Sequence, residues 1–167
     1  MSDLYTELLV KKEKTAKDTL MKVGLIGGTV LFALAGLFVH PLLWIGLVIF
    51  AILDYLLLPK TSLEYEYLFV NGEMDIDVIM SQQRRKRVFS FNMKDVDLMA
   101  PLKSHRMDYY NNNQKMKVLD FSSGNDTHKR FCAVMRKDND NCRVILEPDD
   151  HLANLMRNSA PSKVFLD

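Results

Sequence analysis

The fold of this chain is decided by one apolar stretch, which reads VGLIGGTVLFALAGLFV at residues 23–39, HP at 40–41 and LLWIGLVIFAILDYLLL at 42–58. Each apolar run has 17 residues, at the short end of the ~17–25 residues that a helix needs to cross a bilayer. Pro41 has no backbone donor and disfavours helix at His40, so one continuous helix is not expected. The stretch predicts a hairpin of two transmembrane helices at 23–58.

Basic residues on either side of the hairpin predict its orientation. Five lysines precede the first run, Lys60 and the basic residues 84–87 follow the second, and the connecting turn has no lysine or arginine. The positive-inside rule then puts both termini in the cytoplasm and the protein in the cytoplasmic membrane. A signal peptide would explain only the first run, and a buried soluble hairpin would show polar residues at helical spacing.

Two features inside the hairpin are candidate contact points. Gly24 and Gly28 form a G-x-x-x-G pair, which predicts either packing of the first span on the second or homo-oligomerisation. Asp54 is the one acidic residue in the spans. We expect it to reach headgroup water or to pair with Lys22 or Lys60, and the alternative is a proton or ion relay.

The first 22 residues have an apolar group followed by lysines. Leu4, Tyr5, Leu8 and Leu9 share one face of a helix, and lysines dominate from residue 11 onward. This pattern predicts an amphipathic helix at 1–22 that lies in the membrane interface. A basic flank that only sets the topology fits the same residues.

From residue 62 to 167 the pattern changes to that of β-strands. Leu63–Val70 and Glu73–Met80 alternate in polarity and are separated by Asn71-Gly72, which is a strong hairpin signal. Further strands are expected at about 85–91, 96–100, 116–121, 130–136 and 142–146, and a C-terminal helix from Pro148 to about residue 158. Seven antiparallel strands closed by one C-terminal helix fit a pleckstrin-homology-like (PH-like) barrel or sheet, and periodicity alone does not separate it from another small β barrel or sandwich. The predicted class is therefore an α+β membrane protein.

The most distinctive motif is Tyr-x-Phe-x-Asn-Gly-Glu-x-Asp-Ile-Asp at residues 67–77, followed by Arg-Arg-Lys-Arg at 84–87. With the two apolar runs, it resembles an uncharacterised family of small bacterial membrane proteins, found mainly in anaerobic Gram-positive bacteria. The resemblance implies two spans and a PH-like cytoplasmic domain. It implies no activity and no binding residues.

The basic run Arg84, Arg85, Lys86 and Arg87 is the candidate binding site for anionic headgroups or a partner, at ~1 kcal/mol per charge near a membrane surface. In a strand, Arg85 and Arg87 share one face while Arg84 and Lys86 share the other. The alternative is that the run pairs with the acids at 73, 75 and 77 on the neighbouring strand. Phosphoinositide sites of PH domains typically use basic residues around the first hairpin, whereas acids flank that turn here.

Composition and spacing argue against several functions. After residue 58 the chain has 17 Lys and Arg against 16 Asp and Glu, so nucleic-acid binding is not expected. Cys132 and Cys142 are expected to be free, buried thiols, and no residues have catalytic, metal or cofactor spacing. We therefore expect that the protein is not an enzyme. We expect a membrane-anchored interaction or scaffold module that binds a protein partner or anionic lipid headgroups. The alternative is an accessory subunit of a transporter or another membrane complex.

Overall fold

The computed structural model describes residues 5–112, 115–137 and 140–167. The chain forms two compact units. The helical unit consists of Glu13–Glu64 and Ile79–Arg85, and the β unit consists of Met1–Lys12, Tyr65–Val78 and Lys86–Asp167.

The helices and strands follow the predicted order, with one additional strand at the start. The helices are α1 (Ala16–Phe38), α2 (Trp44–Leu57), the short α3 (Asp108–Asn111) and α4 (Asp150–Ser159). The strands are β1 (Tyr5–Lys11), β2 (Leu63–Val70), β3 (Glu73–Met80), β4 (Arg84–Asn92), β5 (Val96–Pro101), β6 (Lys117–Asp120), β7 (Phe131–Lys137) and β8 (Asp140–Leu146).

The helix break predicted at His40 and Pro41 is confirmed. Helix α1 starts with a capping box, in which Thr15 and Asp18 each bind the other's backbone N–H. After α1 ends, the His40 Nδ1 accepts a hydrogen bond from the Leu42 N–H at 3.1 Å, and a short 3₁₀ turn leads into α2. The resulting segments, Ala16–Phe38 and Pro41–Thr61, are both long and apolar enough to cross a membrane.

Glycines let the two helices approach each other closely within the helical unit. A Cβ added to Gly28 would collide with the Phe50 ring, and one added to Gly46 would collide with the Phe32 ring. The two rings also contact each other, with centroids 5.2 Å apart. Gly28 therefore packs on the second helix, as one of the two predictions for the glycine pair states. Gly24 does not, because a Cβ there would have nothing within 4 Å.

The amphipathic helix predicted for residues 1–22 is wrong over residues 5–11, which form β1. Residues 1–4 of that prediction lie outside the described residues. Val10 is buried, whereas Tyr5 and Leu9 are exposed, so the strand alternates between an inner and an outer face. Seven residues fit a period of 2 as well as a period of 3.6, and pairing within the sheet decides between them.

The β unit contains two four-stranded sheets, in the orders β1-β2-β3-β4 and β5-β7-β8-β6. The predicted β2–β3 hairpin is confirmed, and Asn71 and Gly72 both have positive φ, at 49° and 90°. Both central residues of a type I′ turn need this conformation. Met74 and Ile76 are fully buried on β3, on the face that the alternation predicts.

The prediction of seven antiparallel strands is wrong in two respects. The described chain has eight strands, and β6 runs parallel to β8, with Lys117 opposite Cys142 and Asp120 opposite Ile145. Strand β7 pairs with β8 and β5, so it does not pair with β6, its predecessor in sequence. Periodicity identifies a strand and its buried face, but it does not identify the neighbouring strand.

The C-terminal helix forms close to its predicted position. The Asp149 carboxylate caps α4 by accepting a hydrogen bond from the Leu152 N–H at 2.7 Å. Leu152, Ala153 and Met156 are its buried residues. The chain then pairs with β5, because the Met99 N–H donates to the Lys163 carbonyl at 2.8 Å.

The left-handed conformation of Gly72 leads to a stability prediction. Gly72→Ala puts a side chain at φ 90°, so we expect the free energy of unfolding to fall by about 1–2 kcal/mol. Thermal unfolding of the full chain in detergent, followed by circular dichroism, measures the change. Asn71→Gly is the matched control at the neighbouring turn position and should cost less. Equal losses for the two variants would contradict the prediction.

Candidate interaction surfaces

Two of the four basic residues at 84–87, Arg84 and Arg87, have different partners. The Arg87 guanidinium lies 2.8 Å from the Asp75 carboxylate and 3.4 Å from the Asp77 carboxylate, within the β unit. The alternative prediction, pairing with acids of the neighbouring strand, therefore holds for Arg87. Its charge is neutralised locally, so Arg87 is poorly suited to bind an anion.

Arg84 has a different environment, within the helical unit. Its guanidinium lies over the ring of Tyr55, 4.8 Å from the ring centroid. Tyr55 belongs to the last turn of α2 and is largely exposed. Arg84 is thus placed at the end of an apolar helix, where a positive charge faces the headgroup region if that helix crosses a membrane.

The turn between β3 and β4 is bound to the chain that follows α2. The Ser81 N–H donates to the Ser62 carbonyl at 2.8 Å, and the Ser81 hydroxyl donates to the Pro59 carbonyl at 3.3 Å. Ser81 and Gln82 both have positive φ, which is uncommon for residues other than glycine. We call Ile79–Arg85 the basic tip; these contacts and the Arg84–Tyr55 contact hold it within the helical unit.

Asp54 contacts a residue that sequence reasoning did not select. The Thr29 hydroxyl lies 2.5 Å from Asp54 Oδ2 and 3.1 Å from the Leu25 carbonyl. The expected pairing with Lys22 or Lys60 is therefore replaced by a hydrogen bond between α1 and α2. Asp54 Oδ1 is buried and has no hydrogen-bond partner among the described residues.

A polar group in the β unit, formed by Ser123, His128 and Glu147, was not predicted because its members are distant in sequence. The Glu147 carboxylate accepts hydrogen bonds from the Ser123 hydroxyl at 2.6 Å and the Ser123 N–H at 3.0 Å, and the His128 Nδ1 lies 2.6 Å from it. Burial raises the pKa of Glu147, but the hydrogen bonds from Ser123 and His128 outweigh it and lower the pKa. No periodic pattern or spacing points to these three residues.

This group does not have the order of a Ser-His-acid triad. In a Ser-His-acid triad the serine hydroxyl contacts the histidine, but the Ser123 hydroxyl donates to Glu147, which lies between Ser123 and His128. The three residues instead tie the loop before β7 to the end of β8. That the protein is not an enzyme stays a prediction.

The two cysteines form no disulfide and are buried, as predicted. Burial raises the pKa of the Cys132 thiol to about 11, so the thiol is protonated and unreactive at neutral pH. Within the described ranges, no three histidine, cysteine or acidic residues are placed to hold a metal ion.

Beside the Glu147 group lies a groove of about 570 Å³. One wall is the strand segment Leu8–Lys11, and the other contains Ser123, His128 and the start of α4. Strand β1 is an edge strand of its sheet. This surface was also missed from the sequence, because residues 5–11 were expected to be helical.

Two apolar helices, two four-stranded sheets and a C-terminal helix define an α+β protein of the PH-like type. The chain belongs to the bacterial PH-like domain family DUF6106, a family of unknown function, which it matches over residues 2–166. This confirms the family resemblance of the sequence. No curated protein and no solved structure matches the chain. A PH-like domain suggests an interaction or scaffold role.

The lowered pKa of Glu147 predicts how stability depends on pH. The ionised carboxylate is stabilised in the folded state, so its contribution is present at neutral pH and is lost as the pH falls below about 4. We expect Glu147→Gln to be less stable than wild type at pH 7, with the difference shrinking in acid. Unfolding midpoints of the wild type and the variant, determined at pH 7 and in acid, measure this difference in stability.

Asp97→Asn, at an exposed acid on β5, is the matched control and should change stability little at either pH. A difference for Glu147→Gln that stays constant between neutral and acidic pH would contradict the prediction.

Proposed function

We propose that this protein is a two-span membrane anchor whose PH-like domain is an interaction module at the cytoplasmic face, and that the basic tip contacts anionic lipid headgroups. The observation that carries the proposal is the position of Arg84, which stacks on Tyr55 at the end of a helix long enough to span a bilayer. An arginine at such a position has its charge at headgroup level.

Strand pairing supports the proposed topology. β1 precedes the two helices in sequence and β2 follows them, and the two strands are neighbours in one sheet. A folded sheet with open edges does not extend across the hydrocarbon region. If both helices span the membrane, the chain must therefore enter and leave it on the same side, which agrees with the lysines that flank both spans.

Headgroup contact by the basic tip predicts a lipid-dependent stability. The full chain in nanodiscs should melt at a higher temperature in phosphatidylglycerol-containing bilayers than in phosphatidylcholine alone, by an amount equivalent to ~1 kcal/mol per contacting charge. We expect Arg84→Gln with Arg85→Gln to remove most of this lipid-dependent difference. High salt should weaken it in the wild type.

Arg87→Gln is the matched control, because Asp75 and Asp77 already neutralise Arg87. It should lower the melting temperature equally in both bilayers and leave the lipid-dependent difference in place. An equal loss of that difference in the control and in the double variant would reject headgroup contact at the basic tip.

A second candidate, an accessory subunit of a membrane complex, is favoured by one observation. A Cβ at Gly24 or Gly27 would have nothing within 4 Å, so this face of α1 has room for a helix of another protein.

Pull-down of the full chain in mild detergent tests this second candidate. Gly24→Leu should remove a stoichiometric membrane partner without unfolding the chain. Gly28→Leu is the comparison and should instead destabilise the helix pair by about 1–3 kcal/mol, because it collides with Phe50. A partner that persists in Gly24→Leu, or the absence of any stoichiometric partner, would exclude this surface.

A further inference from the structure

Strand β1 has an accessible backbone edge. It is an end strand of its sheet, and over the described ranges no strand pairs with it on the side away from β2. The groove of about 570 Å³ is lined on one side by Leu8, Leu9, Val10 and Lys11, so open space lies beside this strand. An exposed strand edge is a template for pairing with another chain.

The edge strands β5 and β4 are protected. The C-terminal segment covers β5, since Met99 exchanges backbone hydrogen bonds of 2.8 Å with Lys163 and Phe165. On β4, the Lys137 ammonium donates to the Ser90 carbonyl at 2.5 Å. A lysine on an edge is a common means of blocking strand addition. The edge of β1 therefore differs from those of β4 and β5.

The exposed face of β1 is complementary to itself. Glu7, Leu9 and Lys11 are exposed and lie at alternate positions. In an antiparallel pair centred on Leu9, Leu9 faces Leu9 of a second copy, and Glu7 of each copy faces Lys11 of the other. Opposite charges at directly facing positions stabilise a pair of strands, and like charges destabilise it.

We propose that two copies of this chain associate through antiparallel pairing of their β1 strands, centred on Leu9, to form a continuous eight-stranded sheet. The two copies are related by a two-fold axis, so both charge pairs form at once. Centring the pair on Leu8 would place Glu7 opposite Leu9 and remove both charge pairs. The proposal is independent of headgroup contact at the basic tip.

Disulfide crosslinking of the full chain in membranes tests the pairing and its register. Leu9→Cys places two thiols on facing residues, whose Cα atoms are about 4.5–5.5 Å apart, within the range that a disulfide bridges. Mild oxidation should therefore produce a covalent dimer. The wild type is the negative control and should form no covalent dimer, because Cys132 and Cys142 are buried.

Tyr5→Cys is the matched control, since Tyr5 and Leu9 are each 56% exposed on the same strand. In the proposed register, two copies of Tyr5 are offset by eight residues, or about 26 Å, and should not crosslink. A dimer that forms equally at both positions, or no dimer at Leu9→Cys, would overturn the proposal.

Charge reversal provides a second measurement. Glu7→Lys alone and Lys11→Glu alone each put like charges at both facing pairs, so we expect the crosslinked fraction of Leu9→Cys to fall roughly three- to tenfold. The double variant restores opposite charges and should recover the dimer. Failure of the double variant to recover it, while still folded by circular dichroism, would reject the charge pairing and with it the register.

Discussion

The architecture depends on the pairing of β1 with β2 across the intervening residues 12–62. Both strands need hydrogen-bonded neighbours, and each finds one in the other, although the two apolar helices separate them in sequence. The turn at His40 and Pro41 lowers the entropy cost of this pairing. The helical hairpin that it creates brings the chain after α2 back to the end at which α1 begins. The PH-like domain is therefore discontinuous, and residues 62–167 alone lack one of its strands.

Within the helical unit, small residues and one polar pair set how the helices pack. Glycines accept aromatic rings from the opposite helix, and the Thr29–Asp54 hydrogen bond adds a directional contact. In lipid, apolar side chains gain little from helix association, so close packing and hydrogen bonds are what hold helices together. Gly28 lies on the face of α1 that packs on the second helix, whereas Gly24 lies on a face that the second helix does not cover.

The basic run shows how a fold divides residues that are adjacent in sequence. Arg87 is neutralised by Asp75 and Asp77 of the neighbouring strand, while Arg84 stacks on a tyrosine of α2. Alternation along a strand separates the side chains of successive residues. Two charges of one run in the sequence therefore have different surroundings: Arg87 forms ion pairs, and Arg84 lies beside an apolar helix.

The sequence by itself determined the two apolar helices, the break at Pro41, the Asn71-Gly72 hairpin and the C-terminal helix. Each depends on local chemistry: a continuous apolar run, a missing donor, positive φ and acids at a helix start. Only the tertiary structure decided that residues 5–11 are a strand, that β6 runs parallel to β8, and that Ser123, His128 and Glu147 meet. Those outcomes depend on which distant segments supply hydrogen-bond partners. A short segment does not carry that information, since its own pattern is compatible with several neighbours.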